Sequence, residues 1–394
     1  MFFMKIILIT LIYILGPILI ILLYNQFRKV QKMGTIVLAY AVGIVLSLSG
    51  FMQLSGEDKV LMGKLQEGIM NIAVPLAIPL MLFSSDFKLW KKSLKKTLAA
   101  LLGGLLSVIL ATIAGYLIFR NQGIDELWKA GGMMIGTYTG GTMNFVAIGK
   151  ILDTNPTVFT LVSTFEMVIS FIFLMFMISG GYKVFRKLLP YHDDSISLNE
   201  HETVEKNYDF EIYKGMLKPE SFGKTMLALL LSVAFLVVGA GLALLLSGRL
   251  NELIVIFTIT GLGIAFSFVR KIRTLPKSFE LGMYFILVFS TVISSQFDIY
   301  TLNTNNLVLL AFISFILITS IILHVLFSKL FKIDGDLFSI SNIALIFSAP
   351  FVPAVAGAMG NKKILISGIV IGLIGYAIGT YLGVGVAEIL RIIN

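Results

Sequence analysis

Twelve long apolar segments run through this 394-residue chain, and they restrict its possible folds more than any other feature. About 20 consecutive apolar residues are needed for a helix to cross the hydrocarbon core of a membrane. The segments lie near 6–24, 34–54, 61–85, 97–119, 129–153, 156–180, 224–247, 250–269, 279–296, 305–330, 338–361 and 363–390. This pattern predicts an all-α polytopic membrane protein.

The composition agrees with this prediction and excludes several functions. Charged residues make up 13% of the chain, about half of their usual share in soluble proteins. The 31 basic residues exceed the 22 acidic ones, but they lie between apolar segments, where they set orientation rather than bind nucleic acid. Cysteine is absent and histidine occurs three times, so we expect no transition metal. Phosphate-binding loops, zinc helices and nucleophile elbows are also missing. We therefore expect no cofactor and no enzymatic activity.

A polar stretch divides the twelve segments into two sets of six. We predict a first membrane repeat over 1–181, a cytoplasmic linker over 182–223 and a second membrane repeat over 224–394. The halves resemble each other at an offset of about 210 residues, best where "LMLFSSDFKLW" (80–90) matches "STVISSQFDIY" (290–300). Each half carries one segment interrupted by glycine or proline in the corresponding place.

Charge predicts that the two repeats are inverted. Five lysines follow "SSDF" in the first half, whereas the loop after "SSQF" has none, which places these loops on opposite sides of the membrane. If segment 129–153 crossed fully, the seven basic residues between 183 and 224 would lie outside. We therefore predict ten crossings and two re-entrant or broken segments, 129–153 and 338–361, with both termini outside. Such paired breaks in inverted repeats are typical of the binding site of secondary transporters.

The first interrupted segment contains "GTYTGGTMNFVAIGK" (136–150). Its glycines allow a ligand to approach the backbone, and a helix that starts near Thr142 would direct free N–H groups at a carboxylate. Its oxygens could equally hold sodium. The alternative is that these small residues only pack helices closely. The candidate substrate-binding residues are Thr137, Thr139, Gly140, Gly141, Thr142 and Asn144.

The second interrupted segment contains "SISNIALIFSAPFVPAVAGAMG" (339–360). Pro350 and Pro353 remove two N–H donors and break the helix, so backbone carbonyls would contribute more here. The alternative is a simple proline kink. The candidates are Asn342 and Pro350 for substrate binding, and Ser341 and Ser348 for ion binding.

Glu166 is an acid deep within an apolar segment, and intramembrane acids are costly and usually functional. It could coordinate a coupling cation or carry a proton; alternatively, it pairs with Lys150 or a threonine and only fastens helices. Asn71 is a further candidate for ion binding or coupling, because it precedes Pro75 and Pro79 in a helix that must kink.

Two motifs carry a family resemblance: "GTYTGGTMNFVAIGKIL", with its aromatic-Thr-Gly-Gly-x-x-Asn signature at Tyr138–Asn144, and the closing "GIVIGLIGYAIGTYLG" (368–383). Over most of its length the chain resembles the YjcL-like DUF819 family of bacterial integral membrane proteins. That family is more distantly similar to sodium-coupled glutamate and 2-hydroxycarboxylate symporters. In those proteins each inverted repeat carries a re-entrant glycine-rich hairpin, and dimers work by an elevator movement.

The resemblance implies an elevator-type homodimer in the bacterial cytoplasmic membrane, with substrate and sodium at the two hairpin tips. The sequence departs from the family at the second tip, where Ser348, Ala349 and Pro350 stand in place of Gly-Gly-Pro. We expect a sodium-coupled or proton-coupled symporter that contacts membrane lipids. Its substrate would be a small anionic or zwitterionic solute with a carboxylate, such as an amino acid or short peptide. The alternative is an ion channel or a membrane sensor that does not transport.

Overall fold

A computed structural model describes residues 2–27, 30, 35–52, 54, 56–84, 87–190, 213, 216, 219–296 and 307–393. The protein is 87% helical, and the described residues contain no strand. Eight of the described helices are long and apolar enough to cross a membrane. These findings confirm the prediction of an all-α polytopic membrane protein. All twelve predicted segments correspond to described helices, and the two predicted to be interrupted are each broken in two.

The first half of the chain forms eight of the described helices. They are α1 (Phe2–Gln26), α2 (Thr35–Leu48), α3 (Gly56–Phe83), α4 (Phe87–Phe119), α5 (Leu127–Gly140), α6 (Thr142–Ile151), α7 (Pro156–Phe176) and α8 (Tyr182–Leu188). A π-helical turn over Met177–Gly181 joins α7 to α8. The helix therefore continues into the segment predicted as linker, and most of the rest of that linker lies outside the described residues.

The second half repeats this order of elements. Its described helices are α9 (Pro219–Ser247), α10 (Glu252–Ser267), α11 (Arg270–Arg273), α12 (Ser278–Ser295), α13 (Leu307–Leu330), α14 (Gly335–Phe347), α15 (Val352–Met359) and α16 (Leu365–Ile393). A 3₁₀ turn over Ala349–Phe351 separates α14 from α15. In each half, three helices of 14 residues or more, with the short α11 in addition in the second half, precede a long helix, a broken segment and a final long helix.

The chain folds into two compact units, and each half contributes to both. Unit 1 comprises Met1–Phe87 and Thr203–Asp298, and unit 2 comprises Lys88–Glu202 and Ile299–Asn394. Unit 1 thus contains α1–α3 of the first half and α9–α12 of the second, whereas unit 2 contains both broken segments.

Unit 1 is built around α12, which packs against α2 and α3. The Tyr13 hydroxyl of α1 lies 2.6 Å from the Ser295 Oγ, and Gln66 Nε2 donates to the Tyr13 hydroxyl at 2.9 Å. Buried polar groups are costly unless they are hydrogen-bonded. This cluster therefore fastens α1, α3 and α12 to one another.

Unit 2 is built around α16, which packs against α5, α6 and α14. One face of α16 carries glycines that recur three or four residues apart, which is the spacing of a single helix face. A Cβ atom on any of them would overlap an atom of a broken segment or of its flanking helices. These glycines are Gly368, Gly372, Gly375, Gly379 and Gly383. Both broken segments therefore lie directly against the backbone of α16.

Candidate functional site

The first break is a single residue, Gly141, between α5 and α6. Its dihedral angles, φ 89° and ψ −173°, lie in a region that is open essentially only to glycine. The Gly141 N–H donates to the Thr137 carbonyl at 2.8 Å and completes α5, while the Asn144 N–H donates to the Gly141 carbonyl at 3.1 Å. The first amides of a helix have no intrahelical acceptor. The break therefore presents N–H donors at the start of α6.

The second break adopts nearly the same backbone conformation, but at a serine. Ser348 has φ 69° and ψ 176°, and a residue with a side chain is strained there by about 1–3 kcal/mol. Pro350 lies in the turn that follows and Pro353 in the first turn of α15. Because proline has no N–H, this break presents fewer donors than the first.

The two breaks meet inside unit 2. A Cβ atom on Gly141 would lie 3.2 Å from the Ser348 Cβ and 3.3 Å from its Oγ. Gly141 is buried and Ser348 is half-buried. The structure therefore places the interrupted backbones of the two halves in direct contact.

Asn144 lies three residues after the first break and is only 3% exposed. Its Oδ1 accepts a hydrogen bond from the Thr380 hydroxyl of α16 at 2.9 Å. Its Nδ2 is buried and has no partner among the described residues. Turning the amide over would leave the oxygen unpartnered instead. A buried polar atom without a partner costs about 1–3 kcal/mol, so this amide is a strong candidate for contact with a ligand.

The side chains of several other predicted residues donate hydrogen bonds within their own helices. The side chains concerned each donate to a backbone carbonyl one turn earlier on their own helix, at 2.7–3.0 Å. They are Thr137, Thr139, Ser341 and Asn342, and all four are buried. Such local bonds satisfy hydroxyl and amide groups inside a helix. The three hydroxyl groups therefore have only their oxygen atoms left to offer to a ligand, whereas the Asn342 amide has a second N–H in addition to its oxygen.

Glu166 lies on α7, and its partner is Ser170, whose hydroxyl donates to Glu166 Oε1 at 2.5 Å. Lys150 is exposed, and the described residues show no ion pair between it and Glu166. The buried Tyr138 hydroxyl of α5 lies within hydrogen-bonding range of Ser170 and within electrostatic range of Glu166. Tyr138 thus connects the acid to the helix that ends at the first break.

The structure gathers some of the predicted residues and leaves others apart. Gly140, Gly141, Asn144 and Ser348 come together, with Pro350 two residues after Ser348. Thr142 is exposed at the start of α6, and Asn71 is exposed on α3 in unit 1.

Three features of this region were not predicted to take part in the site: Tyr138, Thr380 and the glycines of α16. The regular spacing of glycine in "GIVIGLIGYAIGTYLG" was the available signal for that face.

An acid and a cation brace the base of the first broken segment. Glu126 accepts from Lys129 Nζ at 2.6 Å and from the Asn155 N–H at 2.8 Å, while Lys129 Nζ also donates to the Asp153 carbonyl at 2.8 Å. Burial alone would raise the pKa of Glu126, but these two hydrogen bonds and the Lys129 charge outweigh burial and lower the pKa. The bonds join the start of α5 to the residues that follow α6.

A matching brace holds the base of the second segment. Arg186 donates to both carboxylate oxygens of Asp336, at 2.5 and 3.1 Å, and to the Met359 carbonyl at 3.1 Å. Asn361 Nδ2 donates to the same carboxylate at 2.7 Å. Glu126 and Asp336 are separated by the offset that relates the two halves in sequence.

Comparison with known proteins identifies a matching family and a related membrane protein. The family described as "Protein of unknown function (DUF819)" matches residues 10–393. The chain is also 26% identical to the "Uncharacterized membrane protein YjcL" of Bacillus subtilis (strain 168) over 353 residues, which cover 86% of this chain and 88% of that protein. Because the family model covers nearly the whole chain, the protein belongs to the DUF819 family.

Proposed function

We propose that the protein is a secondary active transporter that binds its substrate where the two breaks meet. The observation that carries this proposal is the contact between Gly141 and Ser348, two non-helical residues inside a unit of membrane helices. Irregular backbone is tolerated at membrane depth only where it is covered by protein or lines a water-filled cavity. A pair of breaks in corresponding segments is the usual construction of a transporter site.

The chemistry of the two breaks supports a solute with a carboxylate. The first break offers the free N–H groups of α6 and the unpartnered Asn144 amide, and helix N-termini attract anions. The second offers the Ser348 hydroxyl and backbone carbonyls, which suit a hard cation such as sodium. A cation bound beside the carboxylate lowers the cost of moving a charged solute through a low-dielectric region.

The same proposal assigns the coupling role to Glu166. Its hydrogen bond to Ser170 and its proximity to Tyr138 connect it to α5. In this scheme Glu166 adjusts the occupancy of the cation site, or carries the proton itself if coupling is to H⁺.

An elevator movement of unit 2 would carry the site across the membrane, and unit 1 would form the dimer. The shared order of elements in the two halves and the matching braces at Glu126 and Asp336 support this proposal. Inversion of the halves and insertion in the bacterial cytoplasmic membrane belong to the same proposal.

The test is uptake by the purified protein in vesicles. We expect saturable uptake of an amino acid, dipeptide or dicarboxylate, driven by an inward gradient of sodium or protons. Asn144→Ala should lower uptake at subsaturating substrate by about tenfold or more, the effect of removing one partner of a charged group. Thr97→Val is the matched control, because Thr97 is also buried in unit 2 but its hydroxyl is bonded to Ser93 and Ser367.

Three results would contradict the proposal. Intact uptake in a well-folded Asn144→Ala protein would show that the first break only packs helices. Conductance in a planar bilayer far above transporter turnover would identify a channel. If no solute is taken up under any gradient, a sensor becomes the better explanation.

A further inference from the structure

A cavity of about 310 Å³ lies at one end of unit 2, away from both breaks in sequence. Its walls are formed by Tyr116, Arg120, Ile124, Glu126, Leu127, Trp128 and Lys129. The apolar span of α4 ends at Phe119 and that of α16 at Ile393. Arg120 Nη1 donates to the Ile393 carbonyl at 3.0 Å. The cavity therefore lies where two membrane-spanning helices end, at the level of the lipid headgroups.

The net charge of this cavity is positive. Glu126 is neutralised by Lys129, and both side chains are occupied by the brace at the base of the first broken segment. Arg120 is exposed and uses one of its donors on the Ile393 carbonyl. A guanidinium has five N–H donors in a planar fork that matches the oxygens of a phosphate. Among the described residues Arg120 forms no ion pair, so it keeps donors and a positive charge for an anion.

The surroundings of the cavity are those of a lipid rather than of a free ion. Trp128 and Tyr116 supply the aromatic rings that are common at the headgroup level. Leu117 and Ile118, beside Arg120 on the last turn of α4, are 47% and 56% exposed. They offer an apolar surface to acyl chains directly beside the charged site. Basic pockets between membrane helices are known to hold anionic headgroups.

We propose that this cavity binds the phosphate of an anionic phospholipid headgroup, held by Arg120 beside Trp128. An anionic lipid is preferred to a zwitterionic one because Glu126 is already paired and leaves no acceptor for a headgroup amine. Because Glu126 and Lys129 also brace the first broken segment, the bound lipid stabilises the base of that segment. The proposal does not depend on the identity of any transported solute.

Tryptophan fluorescence tests the proposal directly, because the chain has two tryptophans and a Trp90→Phe variant leaves Trp128 alone. This protein is reconstituted in phosphatidylcholine vesicles containing brominated phosphatidylglycerol or, in parallel, brominated phosphatidylcholine. We expect the relative binding constant obtained from quenching to favour phosphatidylglycerol by about fivefold, the effect of one basic residue near a membrane surface. Equal quenching by the two lipids would overturn the proposal, whatever the variants do.

Substitutions assign the preference to the cavity. Arg120→Gln in the Trp90→Phe background should abolish the preference, whereas Arg249→Gln, an exposed arginine of unit 1, should leave it unchanged. A preference that persists in Arg120→Gln would refute the role of Arg120. Inorganic phosphate should not raise the melting temperature of the detergent-solubilised protein. It should also not remove the lipid preference measured in vesicles. If it does both, the site binds free phosphate and the headgroup assignment is wrong.

Discussion

The two broken segments of unit 2 share a backbone plan but present different chemical groups. Gly141 and Ser348 have nearly the same dihedral angles, and each segment is braced at its base by an acid that accepts from a cation. The residues around the breaks differ. The first is followed by a helix with free N–H groups and an unpartnered amide, and the second by a proline-rich turn.

In the proposed function, this difference gives the two breaks complementary roles. The two breaks share a backbone geometry, and this geometry ends α5 and α14 at the point where the two segments meet. The side chains then decide whether a break donates or accepts hydrogen bonds. A site that needs to hold a carboxylate and a cation together requires one break of each kind.

The largest expected effect comes from closing the space between the breaks. Gly141→Ala places a methyl group in a conformation that only glycine adopts freely, at 3.2 Å from the Ser348 Cβ. We expect a loss of about 1–3 kcal/mol in the free energy of unfolding from backbone strain, and loss of transport from displacement of Ser348. Gly123→Ala is the control, since Gly123 also has a positive φ but no neighbour within 4 Å. Equal effects of the two variants would show that the breaks do not touch.

The next effect, of similar size on stability, is expected on α16, which supports both breaks. A Cβ on Gly379 would overlap Asn144 Nδ2 and Thr139 Oγ1, so Gly379→Ala should destabilise the protein by about 1–3 kcal/mol through overpacking. Gly385→Ala, on the same helix with no neighbour within 4 Å, should be neutral or stabilising by up to about 1 kcal/mol, because alanine favours helix. Thermal unfolding in detergent compares the two variants. Similar melting temperatures would contradict the close packing of α16 on the first break.

Hydropathy predicted every apolar segment, and glycine and proline within two of these segments predicted both breaks. Length and apolarity decide whether a helix can cross a membrane, and Gly140–Gly141 and Pro350 mark the breaks without any knowledge of the fold. The matching order of the halves was also visible, because "SSDF" directly follows α3 and "SSQF" begins in the last turn of α12. Ser85 and Asp86 of the first motif and Phe297 of the second lie outside the described residues.

The contacts within the site were less accessible to sequence reasoning. A threonine in a helix can donate to a ligand or to the preceding turn, and only coordinates reveal that Thr137 and Thr139 do the latter. The partner of Asn144 is Thr380, which is more than 200 residues away in the chain. Local patterns do not encode such long-range contacts. Likewise, the sequence left Lys150 open as a partner of Glu166, whereas the structure pairs this acid with Ser170, one turn along the same helix.

The smallest expected effect concerns the serine at the second break, and it separates backbone strain from side-chain chemistry. Ser348→Gly removes the strain of a positive φ but increases the conformational freedom of the unfolded chain. The net result should be a stabilisation of about 1 kcal/mol or less. Ser348→Ala keeps the strain and should leave the melting temperature nearly unchanged. Both variants lack the hydroxyl, so both should weaken the dependence of uptake on the coupling cation to the same extent.

These two variants therefore distinguish two reasons for a serine at this position. Ser348→Gly could be more stable than wild type while its uptake keeps the normal dependence on the coupling cation. In that case the hydroxyl has no role, and the two breaks differ in sequence alone. If the glycine variant is more stable but loses cation dependence, strain is tolerated at Ser348 because the hydroxyl binds the cation. A glycine variant less stable than wild type would show that the second break is not strained, and the proposed likeness between the two backbones would be wrong.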